Sequence, residues 1–156
     1  SNRFELMEAL IDDRLDIIAT DHAPHTLSEK RNSYFNAPAG LPLVQHGLNM
    51  MLDFHQRGKI KLEKVVEKMS HAPAECFKIK ERGYIREGFY ADLVLVDMSQ
   101  KNYVTKGNIH YKCNWSPLEG NIFRNTVTHT FVSGHLAYEK GQFHEGKKGE
   151  RLLFNR

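Results

Sequence analysis

Leu15-Asp16-Ile17-Ile18-Ala19-Thr20 is the segment that most limits what this chain can fold into. It is β-branched and largely apolar, the texture of a strand covered on both faces in a parallel α/β sheet, and it ends on Asp21. Helical patterns come next along the chain. Apolar residues at Leu41, Val44, Leu48, Met51 and Leu52 predict a helix over Leu41–His55, closed by Arg57-Gly58. A second helix covers Leu62–Met69, and Pro73 suits the first turn of a third, Pro73–Ile79. Ahead of the strand, Phe4, Met7, Leu10 and Ile11 mark a short amphipathic helix, while Ser1-Asn2 is set aside as a remnant of tag removal. A lone strand of this type leaves a row of backbone N–H and C=O groups unpaired. The expectation is therefore the last strand–helix unit of a larger parallel sheet or barrel, and the chain reads as a C-terminal piece.

After Gly83 the texture changes to short strands separated by glycines. Tyr84-Ile85 and Asp92–Val96 read as strands around an Arg86-Glu87-Gly88 turn, and Thr126–Val132 and Leu136–Tyr138 flank the hairpin signal Ser133-Gly134-His135. The expected division is residues 1–82, with strand, loop and helices, and residues 83–156, a small β unit. Composition narrows the function classes. Lys+Arg 22 against Asp+Glu 19 leave a net charge of +3 with no basic stripe, which disfavours nucleic acid. The apolar run Leu93–Val96 is too short to span a bilayer, and the first residues lack the build of a signal peptide, so a cytoplasmic protein with no membrane contact is expected. Cys76 and Cys113 form no CxxC pair and read as small buried apolar residues.

The chemistry is concentrated just after the strand. Of 9 histidines, His22 and His25 share a short segment with Asp21. The stretch His22–Gly40 is rich in Pro, Ser and Asn without a sustained period, and unstructured loops beyond about 12–15 residues are usually functional or disordered. A carboxylate at the C-terminal end of a strand stands where (β/α)8 barrels place catalytic groups. On the residues alone, a turn-capping Asp21 beside two solvated imidazoles is the commoner arrangement. His46, His55, His110, His129, His135 and His144 show no ligand spacing and read as surface or satisfied core residues; Trp115, near Tyr111 and Phe123, reads as core or interface.

Ile18-Ala19-Thr20-Asp21-His22-Ala23-Pro24-His25-Thr26, with Glu29-Lys30 and Ala37-Pro38-Ala39-Gly40-Leu41-Pro42-Leu43-Val44-Gln45 after it, resembles the end of a dihydroorotase of the amidohydrolase superfamily. Ser70-His71-Ala72-Pro73-Ala74, the stretch from Gly83 to Asp97, Ser116-Pro117-Leu118-Glu119-Gly120 and Val132-Ser133-Gly134-His135 resemble later parts of that family in the same order. The second histidine, His25, separates the pattern from hydantoinases and allantoinases. The resemblance implies an α/β fold in which residues 1–82 form the last strand–helix unit of a (β/α)8 metal-dependent hydrolase barrel, with its substrate loop and the helices after it. Residues 83–156 then form part of a small accessory β-sandwich. It implies reversible hydrolysis of L-dihydroorotate to N-carbamoyl-L-aspartate in de novo pyrimidine biosynthesis, with one or two zinc ions. Asp21 is implied as zinc ligand and as general base and acid, His25 as a donor to the substrate carboxylate, and Ala39 and Gly40 as backbone groups facing the ring amide. His22 is left with a structural hydrogen bond.

Two departures qualify this resemblance. Pro42 falls early in the helix after the substrate loop, where it alters the hinge. The chain contains no His-x-His, and the family's bridging lysine carbamate, further histidines and upstream Arg and Asn groups are absent too. One carboxylate cannot hold a catalytic zinc, which takes about three protein ligands plus water. The chain alone is therefore expected to be inactive. Its implied partners are a small-molecule substrate and the N-terminal part of the barrel, and the resemblance allows a homodimer. The alternatives are another cyclic-amide hydrolase, hydantoinase- or allantoinase-like, or an inactive dihydroorotase-like subunit acting as an assembly module.

Overall fold

The computed structural model describes residues 2–155. Helix α1 (Asn2–Ile11) takes in Asn2, which the sequence alone had set outside the fold, and buries Leu10; Ser1 lies outside the described residues. Leu15–Thr20 is not a strand of any sheet among the described residues. No strand of those residues lies alongside it, and a β-branched segment without a neighbour has no ladder to join. Backbone bonds tie it to helices on either side, from Leu15 N–H to Ala9 C=O of α1 at 3.2 Å and from Ile18 N–H to Lys68 C=O at 2.9 Å.

That carbonyl is free for a specific reason. The two helices predicted between Leu62 and Ile79 run on as one, made of α4 (Leu62–Val66), a π-helical turn (Glu67–His71) and α5 (Ala72–Cys76). In the π register Ala72 N–H reaches back to Glu67 C=O, and the next donor, to Lys68 C=O, belongs to residue 73. Pro73 has no N–H, so Ile18 takes its place. The proline is accommodated inside the helix by the widened turn instead of starting a new one. Cys76, at the outer end of α5, is exposed and not buried as expected; Cys113 is half-buried.

Helix α3 (Gly47–Gln56) begins later than its periodicity predicts. Leu41 forms an isolated parallel bridge with His22, and His22 Nδ1 accepts the N–H groups of Leu43 (3.1 Å) and Val44 (3.3 Å), holding them outside the helix. Pro42 is thus buried ahead of α3 and does not lie in its first turn. A Cβ on Gly47 would sit 2.7 Å from Thr20 Cγ2, so the missing side chain lets α3 pack directly on the segment leading to Asp21. Met51 and Leu52 join Leu10, Ile60 and Val65 in one apolar cluster, while Met50 touches a second, Val104, Ile109, Tyr111 and Phe123. Each fully buried Leu, Ile or Val of this kind contributes about 1.5–3 kcal/mol.

The β half holds a four-stranded antiparallel sheet in the order β1-β4-β5-β6 and a two-stranded ribbon, β2–β3. The strands are β1 (Leu93–Asp97), β2 (Asn102–Tyr103), β3 (Ile122–Phe123), β4 (Thr126–Val132), β5 (His135–Glu139) and β6 (Gln142–Phe143). Ser133 (φ 49°) and Gly134 (φ 79°) both take the left-handed conformation that a two-residue hairpin turn demands. Tyr84-Ile85 is not a strand. Tyr84 instead stacks on His71, its ring 4.1 Å away, and side chains hold the chain on its way into β1. Arg82, itself buried, pairs with Asp92 and lies over the Tyr90 ring, and Asp92 accepts the Ser133 N–H at 2.7 Å. The halves meet at Asn125, which is fully buried. Its Oδ1 accepts Asn49 Nδ2 at 2.8 Å, and Gln56 Nε2 donates across the same seam to Met98 C=O at 2.7 Å. No helix among the described residues is long and apolar enough to cross a membrane.

Candidate active site

Asp21 adopts φ 44°, a left-handed kink that Asp tolerates better than most residues. The kink breaks the line of the preceding run, and the side chain is exposed. Its carboxylate has no hydrogen-bond or ion-pair partner among the described residues. Its neighbours behave differently. The structure bears out the structural role expected of His22. Because Nδ1 accepts two backbone N–H groups, the ring proton sits on Nε2. The far side of the loop is closed against it by Ala23 N–H to Leu41 C=O at 3.0 Å.

Gly40 lies against Ala23. With φ 99° and a notional Cβ only 2.3 Å from Ala23 Cβ, the position excludes any side chain on two counts. At the loop's start, His25 C=O accepts the indole N–H of Trp115 at 2.8 Å, a contact between residues 90 positions apart in the chain. The His25 ring, half-exposed, has no hydrogen-bond partner among the described residues.

Thr26 caps a one-turn helix, α2 (Leu27–Lys30), in a reciprocal box with Glu29. The Thr26 hydroxyl and N–H hold the Glu29 carboxyl below the ordinary carboxylate range, with a smaller contribution from His25. The turn delivers Lys30, whose ammonium donates to Pro38 C=O (2.6 Å) and Gly40 C=O (3.1 Å).

Behind the loop lies a buried aromatic wall. Tyr111 packs 5.1 Å from the His22 ring, and its hydroxyl accepts Gln45 N–H at 2.9 Å. Burial pushes that phenol up and holds the imidazole of His46, which lies against Phe123, down.

Asp21, His25, Ala39 and Gly40 therefore occupy the two ends of one latched loop. Asp21 and Ala39 are exposed, and His25 and Gly40 are half-buried. A cavity of about 630 Å³ opens elsewhere, between the start of α3 and the four-stranded sheet, lined by Val44, Leu48, Val94, Tyr138 and Phe143 among others. No group of three His, Cys, Asp or Glu able to hold a metal occurs among the described residues. Asp21, exposed and unengaged, fits as one donor to a metal; these residues do not complete a site.

The amidohydrolase family model matches residues 1–137. The chain belongs to the amidohydrolase family. Relatives of this amidohydrolase by sequence include the dihydroorotase of Pyrococcus abyssi, 38% identical over 153 residues that cover 98% of this chain and 36% of the relative. That of Halobacterium salinarum is 39% identical over 120 residues, 77% of this chain and 28% of the relative. Among solved structures, a D-hydantoinase (dihydropyrimidinase) from Thermus sp. superposes with a TM-score of 0.84 at 25% identity, covering 90% of this chain and 32% of that one. An L-hydantoinase (dihydropyrimidinase) from Arthrobacter aurescens gives 0.83 at 27% identity, covering 89% and 32%. This amidohydrolase chain spans about a third of the length of the curated relatives it matches.

Residue reasoning missed the latches. Thr26-x-x-Glu29 is a capping-box pattern and was readable as one. The roles of Lys30, Trp115 and Tyr111 depend on contacts between distant segments, for which the sequence carries no local signal.

Proposed function

We propose that this chain supplies the last strand–helix unit of a (β/α)8 barrel and part of an accessory β-sandwich to a zinc-dependent dihydroorotase. The enzyme interconverts L-dihydroorotate and N-carbamoyl-L-aspartate for pyrimidine synthesis in the cytoplasm, with the rest of the barrel as partner and a homodimer as its assembly. The observation that carries this reading is the contrast within one loop. His22, Thr26, Glu29 and Lys30 are all engaged in holding the loop, whereas the carboxylate of Asp21, the ring of His25 and the N–H groups of Ala39 and Gly40 meet no hydrogen-bond partner among the described residues. Sequence identity of 31–39% to proteins named dihydroorotase supports that substrate. The solved neighbours named hydantoinase favour the second reading, another cyclic amide.

When bound, zinc polarises an amide carbonyl and acidifies water towards a pKa of ~7. Asp21 takes the proton of the water that attacks the ring amide and returns it to the departing nitrogen. His25 donates to the substrate carboxylate, and Ala39 and Gly40 offer backbone groups to the ring amide. The chain by itself, with Asp21 as the one metal donor of the candidate site, turns over nothing.

The test is conversion of carbamoyl aspartate and dihydroorotate by the full-length protein, beside its Asp21→Ala variant and the isolated 156 residues. The expected result is activity in the full-length protein, at least about 10³-fold lower in the variant and absent from the isolated chain. A full-length protein that prefers hydantoin or dihydrouracil establishes the second reading, and activity indifferent to Asp21 removes the catalytic assignment.

A further inference from the structure

Lys30 is a charged side chain turned inward on its own loop, half-buried, with its ammonium between the carbonyls of Pro38 and Gly40. Nothing in the proposed reaction calls for a cation there, and its ammonium pairs with no carboxylate among the described residues. What it does is mechanical. A trans peptide is planar, with its C=O and N–H pointing in opposite directions, and every described peptide is trans. When Pro38 C=O is drawn towards Lys30, the N–H of Ala39 in the same peptide plane is turned away from it. That N–H meets no acceptor among the described residues. The second bond, to Gly40 C=O, fixes the next turn of backbone at a residue whose φ of 99° leaves it little preference of its own.

The helix that carries Lys30 is itself capped by Thr26 and Glu29, so the ammonium has a fixed origin. Ala23 N–H to Leu41 C=O and Leu43 and Val44 N–H to His22 close the other side. The segment 38–40 is thus suspended between one cation and one imidazole, with a donor facing outward.

We propose that Lys30 is a positioning residue. By holding the carbonyls of Pro38 and Gly40 it presents the Ala39 N–H to the substrate, and it governs substrate affinity without entering the chemistry. This rests on the dihydroorotase reading. Lys30 acts on binding because the oriented donor meets the ring carbonyl oxygen that is not attacked, which carries much the same charge in ground state and transition state, and uniform binding appears in KM.

The experiment uses the full-length protein with Lys30→Met, which keeps the stem and removes the donors, and Lys30→Arg, which keeps the charge and can reach both carbonyls. Two readouts are taken: steady-state kinetics with dihydroorotate, and backbone amide exchange by mass spectrometry over residues 38–44 and over α3. The expected result for Lys30→Met is a KM raised roughly tenfold or more with kcat within about threefold. Exchange over 38–44 rises roughly tenfold while α3 is unchanged, and Lys30→Arg restores most of both. Unchanged exchange over 38–44 overturns the proposal whatever the kinetics show. So does a loosened loop with unaltered KM, or a fall in kcat alone. A parent protein inert towards dihydroorotate sinks the dihydroorotase reading instead, and the latch is then decided by exchange alone.

Discussion

Gly40 shows what one added methyl costs in this loop. An alanine there must hold a left-handed backbone and also press its Cβ into Ala23, whereas at Gly58 (φ 69°) nothing lies within 4 Å of a built Cβ. The backbone effect alone is worth about 1–2 kcal/mol, and overpacking adds a comparable amount at Gly40. Gly58→Ala is therefore expected to cost about 1–2 kcal/mol and Gly40→Ala about 2–4, read from urea unfolding of the two variants side by side. Equal losses would show that Ala23 yields freely. At this scale the sequence was partly readable. Asp21, His25, Ala39 and Gly40 were picked out by resemblance, and they fall on the two ends of one loop. The reason glycine is needed at 40 came only from the fold: Ala23 is distant in sequence, and its methyl group, not a ligand, is what fills the space.

The junction between α1 and the π-helical turn shows how elements are joined where no strand ladder exists. Asp13 sits on a left-handed kink and receives Lys64 Nζ at 2.7 Å and Lys68 Nζ at 2.9 Å, with Glu67 facing both lysines. Lys68 is only 4% exposed, so Asp13 is its nearest counter-charge at the edge of solvent. Hydrogen bonds from Lys64 and Lys68 lower the Asp13 carboxyl to about 2 from an ordinary 3.8. The folded value lies below the unfolded one, so the stabilisation is complete above about pH 4 and is lost as pH falls towards 2. With the carboxylate 58% exposed, its size is modest and screened by salt. Asp13→Asn keeps the tolerance for the kink. Its urea midpoint is expected to fall short of the parent's by a constant gap from pH 7 to about 4, and the gap should close below that. A gap that widens on acidification would assign the stabilisation elsewhere. Helical periodicity found all these elements but not their joints. It could not show that Pro73 is absorbed by a π turn, because that depends on Ile18 supplying the missing donor, nor that His22 delays the start of α3 to Gly47.

In the whole molecule, the four-stranded sheet presents apolar residues on both faces. Val94, Thr130, Tyr138 and Phe143 are cross-strand neighbours in one row, and Leu93, Phe131 and Leu136 form another on the opposite side. The β4–β5 hairpin was legible because its turn chemistry is local. The pairing of β1 with β4 was not, since it joins segments far apart in sequence. A sheet with two apolar faces is suited to being covered on both, as in a sandwich, which is how the proposed accessory domain uses it. Val94 separates the two states of this surface. In the isolated chain it is 46% exposed, and Val94→Lys should cost at most about 1 kcal/mol, read from urea unfolding. In the full-length protein the same lysine would meet a covered face, and burying an unpaired charge there should cost about 2 kcal/mol or more. Matching small losses in both would mean that this face stays open to solvent in the longer protein, and the sandwich assignment for residues 83–156 would fall.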